Sequence, residues 1–467
     1  MDNKGYFESP EFRELLKKYE QATSNGACSY FGIEELCDLL AYYISQDMLH
    51  SAGEVYELAQ RLHANSPELV KMRIKLALEN NEPELALVLI EETGYTDDLE
   101  IKLLHATAYF ALKDLPEARN TVYDILNHPN ADNGIICEAL ELMLDYGLAQ
   151  EVLQITESKL GTHPEQRCYM EIKAEALVEM QYISDATAIY NTLLDHSPYS
   201  TFYWEQLAHI YFMVNKYGKS LECFEYELAI GEEIEYARMM QGYCYYFMHD
   251  YPHAKEIFAS LAQKYSESVM PRFYTALCEY AMGDKQTALK WFDEAIKFSQ
   301  EGSIDIMLAR INRAIILDET GEQESATGAI SLALLMHPEQ LKQLTLSDKN
   351  LYELRDKENL TFKEINIMDV KDWSQEECLF ALARQLMCNK HWHLAKSVLL
   401  YTHTTSTDTC DIDACLAYTM YNMGEEEHIQ PFVAGAINGK SNLLFELFGL
   451  VYNANTTAEG FMRIIKK

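Results

Sequence analysis

Residues 201–234, TFYWEQLAHIYFMVNKYGKSLECFEYELAIGEEI, and residues 235–268, EYARMMQGYCYYFMHDYPHAKEIFASLAQKYSES, place small and aromatic side chains at the same relative positions. The register extends one unit to each side of this stretch. Three columns recur every 34 residues: Ala174, Ala208, Gly242 and Ala276; Ala186, Ser220, Ala254 and Ala288; Tyr190, Phe224, Phe258 and Phe292. A fixed period of this length is typical of proteins whose repeats each pack against their neighbours.

Each unit has the pattern of two short antiparallel helices. Trp204, Leu207 and Tyr211 share one helical face through steps of three and four residues, and Ser220 and Phe224 begin a second face. We expect the small residues where the two helices of a unit cross, because a larger side chain would separate the backbones there. We expect the aromatic residues to fill the space that this leaves between units.

These residues resemble the tetratricopeptide repeat (TPR) family. The similarity lies in the arrangement Trp204-x2-Leu207-Ala208-x2-Tyr211, with Phe224 downstream. It implies an all-α fold, a right-handed superhelical solenoid of antiparallel helix pairs. Many unrelated functions use this fold, so the resemblance is specific for structure and says little about function.

The register also suggests how the chain is organised. It shortens by two residues before Ala106 and stretches to 38 residues between Ala276 and Ala314. It lapses in TLSDKNLYELRDKENLTFKEINIMDVKDW, which ends at Trp373. We therefore expect four parts: an N-terminal capping helix in 1–31, the TPR array in 32–340, an irregular connector in 341–373, and diverged helical repeats with a C-terminal cap in 374–467. In the first part, Ser9 is suited to cap the helix.

Composition limits the classes of partner. The 467 residues include 38 basic and 73 acidic side chains, which gives a formal charge of −35. Such a charge repels nucleic acid and anionic membrane surfaces and favours cationic partners. An alternative reading is that the acidic excess serves solubility alone.

Cysteine usage and hydropathy indicate the compartment. The 11 cysteines are scattered without a CxxC pair, and most occupy helical positions that we expect to be buried. The first residues contain no apolar run of the kind found in signal peptides, and no stretch approaches the roughly 18 apolar residues of a membrane span. We expect a cytoplasmic protein that does not insert into membranes.

Candidate binding residues follow from the resemblance. In the TPR family the concave groove is lined mainly by the first helix of each repeat. Matching the register places these residues in the groove: Glu171, Glu175, Glu179, Glu205, His209, Phe212, Tyr236, Met239, Tyr243, Tyr246, Phe247, Phe273, Leu277 and Tyr280. An acidic row thus precedes a patch of aromatic and methionine side chains.

The groove predicts a type of partner. Tyrosine and methionine offer large, adaptable contact areas, and carboxylates attract Lys or Arg. The predicted ligand is a helix or extended segment with basic residues and apolar anchors. Alternatively, several of these residues pack between units, and the acidic row is a solvated face. Lys71 and Lys75 are the paired cations at groove positions, which does not amount to the clamp for C-terminal carboxylates found in one TPR subclass.

Sequence motifs give little support for catalysis. The chain has no GxxxxGK[ST], GxGxxG, HExxH or GxSxG pattern. Seven possible metal ligands lie within 25 residues: His391, His393, His403, Cys410, Asp411, Asp413 and Cys415. Their spacing is poor for zinc, since the first two histidines would point to different sides of a helix. We therefore predict no metal, no cofactor and no enzymatic activity.

Three functions remain open. The first is a non-catalytic scaffold or adaptor that captures a partner segment in the concave groove. The second is a ligand-switched regulator in which the region after residue 373 is a sensing or effector module. The third is an enzyme with an unrecognised active site, for which the His/Cys/Asp cluster is the candidate. For the scaffold we expect a monomer that binds a protein or peptide and not nucleic acid.

Overall fold

A computed structural model shows helices and no strand in the part of the chain that it describes. That part consists of residues 7, 9–25, 30–94, 97–162, 166–231, 235–265, 268–298, 304–334, 374–453 and 455–466. The predicted connector, 341–373, lies outside these residues. No helix of the described ranges has both the length and the apolarity that crossing a bilayer requires.

The helices confirm the all-α fold. In chain order they are α1 (Pro10–Asn25), α2 (Ile33–Ser45), α3 (Leu49–Leu62), α4 (Glu68–Glu79), α5 (Pro83–Thr93), α6 (Leu99–Ala111), α7 (Leu115–Leu126), α8 (Asn133–Asp145), α9 (Ala149–Thr162), α10 (Arg167–Glu179), α11 (Ile183–His196), α12 (Thr201–Met213), α13 (Tyr217–Ile230), α14 (Glu235–Phe247), α15 (Tyr251–Lys264), α16 (Met270–Ala281), α17 (Lys285–Phe298), α18 (Ile304–Glu319), α19 (Gln323–Leu334), α20 (Gln375–Cys388), α21 (Trp392–Thr405), α22 (Cys410–Asn422), α23 (Gln430–Asn438), α24 (Leu443–Leu447) and α25 (Ala458–Ile465). A short 3-10 helix, Glu426–His428, precedes α23.

The chain divides into two compact units, 1–210 and 211–467, with the division inside α12. In the first unit the antiparallel pairs are α2–α3, α4–α5, α6–α7, α8–α9 and α10–α11, and each pair packs on the next. In the second unit the pairs α14–α15, α16–α17 and α18–α19 follow the same plan. The predicted helix pairs are therefore present in both units.

The turn inside each helix pair contains a residue in the left-handed backbone region. These residues are Asp47, Asn81, Lys113, Gly147, Gln181, Asn215, His249, Gly283, Gly321, Lys390 and Gly424. The left-handed residue ends the first helix of the pair. At His249, for example, its amide donates to the Tyr246 carbonyl at 2.9 Å, and the Asp250 amide donates to the Tyr245 carbonyl at 2.9 Å. The Asp250 side chain then accepts from the His253 amide at 3.5 Å and caps α15.

The small and aromatic columns form the core of the repeats, as the sequence predicts. The side chains of Ala174, Ala208 and Ala276 are fully buried. Gly242 of α14 is also buried, and a Cβ placed on it would lie 2.6 Å from the Phe258 ring of α15. A small residue is therefore needed where these two helices cross. All four members of the aromatic column are fully buried: Tyr190, Phe224, Phe258 and Phe292.

The first helix, α1, begins with a side-chain cap. Its cap forms because Ser9 Oγ accepts a hydrogen bond from the Phe12 amide at 3.2 Å. Phe12 and Tyr19 are buried with side chains of α2 and α3, including Leu36 and Val55. The helix thus covers apolar surface of the first pair.

The helices after residue 373 share a core with the preceding ones. α21 packs on α18 and α19, and one cluster of buried side chains runs from α16 to α22. At this contact His391 Nδ1 lies 3.1 Å from Asp318 Oδ2, and both side chains are largely buried. His393 Nε2 lies 2.8 Å from Gln323 Nε2.

Candidate partner-binding surfaces

The predicted groove residues fall into two sets, one in each compact unit. The first unit holds Glu171, Glu175, Glu179, Glu205 and His209. The second holds Phe212, Tyr236, Met239, Tyr243, Tyr246, Phe247, Phe273, Leu277 and Tyr280.

Carboxylates of two neighbouring first helices form an acidic face in the first unit. On α10, Glu171 and Glu175 are half-buried and Glu179 is exposed. α8 packs against α10 and contributes Glu141 and Asp145. We define the acidic face as these five residues. The register does not mark the two carboxylates on α8 because their unit is degenerate, although they precede Glu175 and Glu179 by the repeat length of 34.

Burial and mutual repulsion disfavour ionisation of the acidic face. The pKa of Glu175 is raised to about 7, first by burial and then by the charges of Glu141, Glu171 and Asp145. Burial also raises the pKa of Glu141 and that of Asp145. Near neutral pH the acidic face therefore carries less negative charge than its five carboxylates imply.

Two tyrosines adjoin the acidic face from the side of α11 and α12. The Tyr203 hydroxyl donates a hydrogen bond to Glu171 Oε1. Tyr190 is fully buried, and its hydroxyl has no hydrogen-bond partner within the described residues. Burial raises the pKa of Tyr190, and the charges of Glu175 and Glu171 raise it further.

Glu205 and His209 form a separate local pair. They lie four residues apart on α12, and His209 Nε2 is 3.7 Å from Glu205 Oε1. Both side chains are half-buried. This spacing on one helical face allows an ion pair when the histidine is protonated.

An aromatic network occupies the predicted positions of the second unit. Phe247 stacks on Tyr217 with ring centroids 5.2 Å apart and meets the edge of Phe212 at 5.6 Å. Tyr274 contacts Tyr243 at 4.6 Å and Tyr246 at 5.4 Å. The predicted tyrosines therefore pack against neighbouring rings and keep part of each side chain exposed.

Three of the remaining positions differ in their accessibility. Tyr236 is 46% exposed at the start of α14, and Met239 is half-buried one turn later. The hydroxyl of half-buried Tyr280 donates to Glu319 Oε1 at 2.6 Å. We name the accessible set the aromatic face: Phe212, Tyr236, Met239, Tyr243, Tyr246, Phe247 and Tyr280.

Phe273 lies in the core and offers no surface to a partner. It is 3% exposed, and its ring meets Phe292 at 5.6 Å. Matching the register placed it in the groove because the local orientation of α16 is not visible in the spacing. Leu277, one turn further along the helix, is half-buried.

The paired cations at groove positions are held by carboxylates of the chain itself. Lys71 Nζ lies 2.8 Å from Glu100 and 3.1 Å from Asp98, and Lys75 Nζ lies 2.8 Å from Glu100. Glu68 approaches Lys71 at 3.7 Å. These ion pairs occupy the donors that a clamp for a C-terminal carboxylate would require.

The His, Cys and Asp side chains of the candidate metal cluster contact different partners in the structure. His391 and His393 face α18 and α19, while His403 Nε2 lies 3.1 Å from Asp413 Oδ1. Asp411 accepts from Ser441 Oγ at 2.5 Å. Within the described ranges, no three side chains of His, Cys, Asp or Glu are arranged to hold a metal ion.

Comparison with known proteins gives similarity at the level of structure. No family model and no curated protein sequence matches the chain. A tetratricopeptide repeat protein from Parabacteroides merdae is 19% identical, with 51% of this chain and 93% of that chain covered and a TM-score of 0.39. YrrB, described as a TPR protein with an unusual peptide-binding site, is 17% identical, with coverage of 38% and 90% and a TM-score of 0.31.

The Cut9–Hcn1 hetero-tetramer of the APC/C is similar over a longer stretch. It is 13% identical, covers 93% of this chain and 92% of that chain, and has a TM-score of 0.34. The repeat architecture of the present chain rests on its own helix pairs, its 34-residue register and its crossing residues. Its fold is that of TPR proteins.

Proposed function

We propose that this protein is a non-catalytic scaffold or adaptor, and that it captures a segment of a partner protein on the faces formed by the first helices of its repeats. The aromatic face is the observation that carries this proposal. Tyr236 and Met239 present exposed or half-exposed apolar area beside a supported network of tyrosine rings. Such side chains are enriched where proteins bind one another.

The network favours binding because its rings are already held in place. Tyr243, Tyr246 and Tyr274 restrain one another through edge contacts at 4.6 and 5.4 Å. A partner that contacts these rings therefore immobilises few side chains, and less conformational entropy is lost on association. We infer that this face takes the apolar anchors of the partner segment.

Charge supports a basic partner. The formal charge of −35 attracts cations over a long range and speeds their encounter with the protein. The same field disfavours nucleic acid, which needs cationic side chains for binding. We propose a monomer that acts in the cytoplasm; the free thiols found throughout the described chain, such as buried Cys223 and Cys244, support a reducing compartment.

The region after residue 373 is proposed to extend the array. A separate sensing module would be expected to bury its own core. Here α20 and α21 contribute Leu379, Leu394 and Leu399 to the cluster that also contains Ile330 of α19. This continuity favours diverged repeats and a terminal cap over the ligand-switched alternative.

Affinity capture from native lysate, read by mass spectrometry, tests the scaffold proposal. Ala substitution of Tyr243 or Tyr246 would disturb the network, so the test variant combines Tyr236→Ser and Met239→Ser. The matched control combines Tyr199→Ser and Met48→Ser, which change exposed side chains of the same types elsewhere, 81% and 48% exposed. We expect the test variant to lose partners that the control retains. An identical partner list for both variants would contradict the proposed surface.

A further inference from the structure

Three successive helices of the second compact unit enclose a cleft of about 390 Å³. Its lining consists of Glu225, Leu228 and Ala229 from α13, Arg238, Gln241 and Tyr245 from α14, and His253, Glu256 and Ile257 from α15. The volume lies in the range of sites that bind small molecules, and the lining combines apolar side chains with a few polar ones, as such sites do.

Gln241 brings a buried amide with an unused donor to this cleft. The residue is 5% exposed. Arg238 Nη1 donates to Gln241 Oε1 at 3.2 Å, so the orientation of the amide is defined and Nε2 is its donor end. Nε2 has no hydrogen-bond partner among the described residues, yet it is not sealed from solvent as the Tyr190 hydroxyl is. Because Gln241 lines the cleft, a molecule bound there can accept this hydrogen bond.

Arg238 adds a charged donor one turn away from the amide. Its side chain is exposed, and Gln241 is its hydrogen-bond partner in the described part of the chain. A guanidinium group carries five N–H donors in a planar fork that matches a carboxylate. The Arg238 guanidinium and the Gln241 amide therefore form a donor pair suited to a carboxylate.

Two carboxylates at the same cleft determine what else the ligand must carry. Glu225 and Glu256 are exposed and line the cleft from α13 and α15. Together they outweigh the single charge of Arg238, so a simple anion would be repelled as well as attracted. A ligand that also carries an ammonium group satisfies both kinds of charge.

The rest of the lining offers an apolar surface that is already ordered. Leu228 and Ile257 are half-buried. The Tyr245 ring stacks on the His253 ring with centroids 5.3 Å apart, and His253 Nδ1 lies 2.8 Å from Asp250 Oδ2. An apolar group that contacts the Tyr245 ring therefore immobilises little of the protein.

We propose that this cleft binds a small zwitterion with an apolar body, the class that includes aliphatic and aromatic amino acids and their short peptides. The carboxylate accepts hydrogen bonds from Gln241 Nε2 and the Arg238 guanidinium, and the ammonium group lies towards Glu225 and Glu256. The site is independent of the scaffold proposal. Positions 238, 241 and 245 lie on the side of α14 opposite to positions 236, 239, 243 and 246 of the aromatic face.

Ligand-observed saturation-transfer NMR on the full chain tests this inference. The probe is L-phenylalanine, and the controls are L-phenylalanine amide, which lacks the carboxylate, and N-acetyl-L-phenylalanine, which lacks the ammonium group. We expect saturable binding of L-phenylalanine and at least about tenfold weaker binding of each control, because each loses one charge-assisted contact. A parallel arm uses L-leucyl-L-phenylalanine, in which the two charges are further apart; the tighter of the two zwitterions identifies the source as a free amino acid or a peptide.

Two variants place the binding in the cleft. Arg238→Leu and Gln241→Leu each remove one member of the donor pair, and we expect each to weaken the binding of L-phenylalanine at least about tenfold. Arg463→Leu and Gln263→Leu are the matched controls, because they change exposed residues of the same types outside the cleft. No saturable binding of either zwitterion, or equal binding by Arg238→Leu and Arg463→Leu, overturns the inference and leaves the scaffold proposal standing.

Discussion

Gly242 is the one glycine among the four residues of its column. Its neighbours in the column are alanines, yet a Cβ at Gly242 would lie 2.6 and 2.7 Å from two atoms of the Phe258 ring. α14 and α15 therefore approach one another too closely for a methyl group to fit without movement. The residue type at this position sets the spacing of one helix pair.

We expect Gly242→Ala to destabilise the protein by about 1–3 kcal/mol, because overpacking must displace the Phe258 ring or separate the helices. Gly53→Ala is the matched control, since its new Cβ meets nothing within 4 Å in α3. That change should stabilise by about 0.5–1 kcal/mol through helix propensity. Urea unfolding measures the stability of both variants. Equal effects of the two substitutions would contradict the close approach of α14 and α15 at Gly242.

The raised pKa of Glu175 predicts that the stability of the protein depends on pH, even without a partner. Its pKa is raised from an ordinary value of 4.5 to about 7 in the folded chain, so the native state holds this proton more tightly than the unfolded state. Stability from this group is therefore present below pH 4.5 and is lost as the pH rises through 7. The full loss is at most about 3 kcal/mol.

Glu175→Gln removes this penalty. We expect the variant to be more stable than wild type at pH 8 by about 1–3 kcal/mol, with little difference near pH 4.5. Thermal unfolding at both pH values checks the prediction, with Glu84→Gln as the exposed control. A gain that is the same at the two pH values would mean that the cost of ionising the buried Glu175 carboxyl is not its cause.

At the scale of elements, the turn inside each helix pair determines where one helix ends and the next begins. The left-handed residue of that turn recurs at intervals of 34 between Gly147 and Gly283. The intervals of 32 before Lys113 and 38 before Gly321 match the places where the sequence register shortens and stretches. The turn, as well as the core, thus keeps the repeat in register.

Gln181 occupies the left-handed position with φ of 65°, where a side chain is strained. We expect Gln181→Gly to stabilise by about 0.5–1 kcal/mol, because glycine adopts this conformation without the Cβ clash. Gly161→Ala is the control, in which a glycine is replaced and not introduced. Gly161 lies within α9 at ordinary φ, and a Cβ added there would meet nothing within 4 Å, so we expect alanine to be favoured at this position. Chemical denaturation measures the free energy of unfolding of each variant. Destabilisation by Gln181→Gly would contradict the left-handed conformation of this turn residue.

At the scale of the whole molecule, net charge opposes the compact state. With a formal charge of −35, repulsion among carboxylates is stronger in the folded chain than in the expanded unfolded chain. Added salt screens this repulsion over a Debye length of about 3 Å at 1 M. We expect the Tm to rise between low salt and about 0.5 M NaCl. KCl should give the same rise, and a Tm that stays constant or falls would contradict the prediction.

The shared core after residue 373 predicts the result of a truncation. Removal of all residues after 334 would expose side chains such as Ile330 that now lie in a cluster with Leu394 and Leu399. We expect α18 and α19 to lose amide-exchange protection in this truncated chain. Removal of residues 455–467 is the milder control, because α25 packs with α22 to α24 through Phe461. Unchanged protection of α18 and α19 would show that they are stable without the following helices.

The repeat could be predicted from the sequence because its determinants are local and periodic. Helix pairing, the small crossing residues and the buried aromatic column all follow from side-chain sizes at a spacing of 34. The site was harder to predict. The register placed Glu171 and Glu175 at exposed positions of the groove, and in the structure both side chains are half-buried. It could not show that Phe273 is buried against Phe292 or that Glu141 acts on Glu175.

The sequence by itself thus determined the kind of fold, the period of its repeats, and the charge and chemical type of its surfaces. These depend on residue size, helix propensity and composition, which are read directly from the chain. The tertiary structure decided which side chains meet across helices: the carboxylates of α8 and α10, and the cations Lys71 and Lys75 with Glu100. It also decided that the buried hydroxyl of Tyr190 has no hydrogen-bond partner among the described residues. Such contacts depend on how neighbouring helices are rotated and spaced, and a linear period does not specify either.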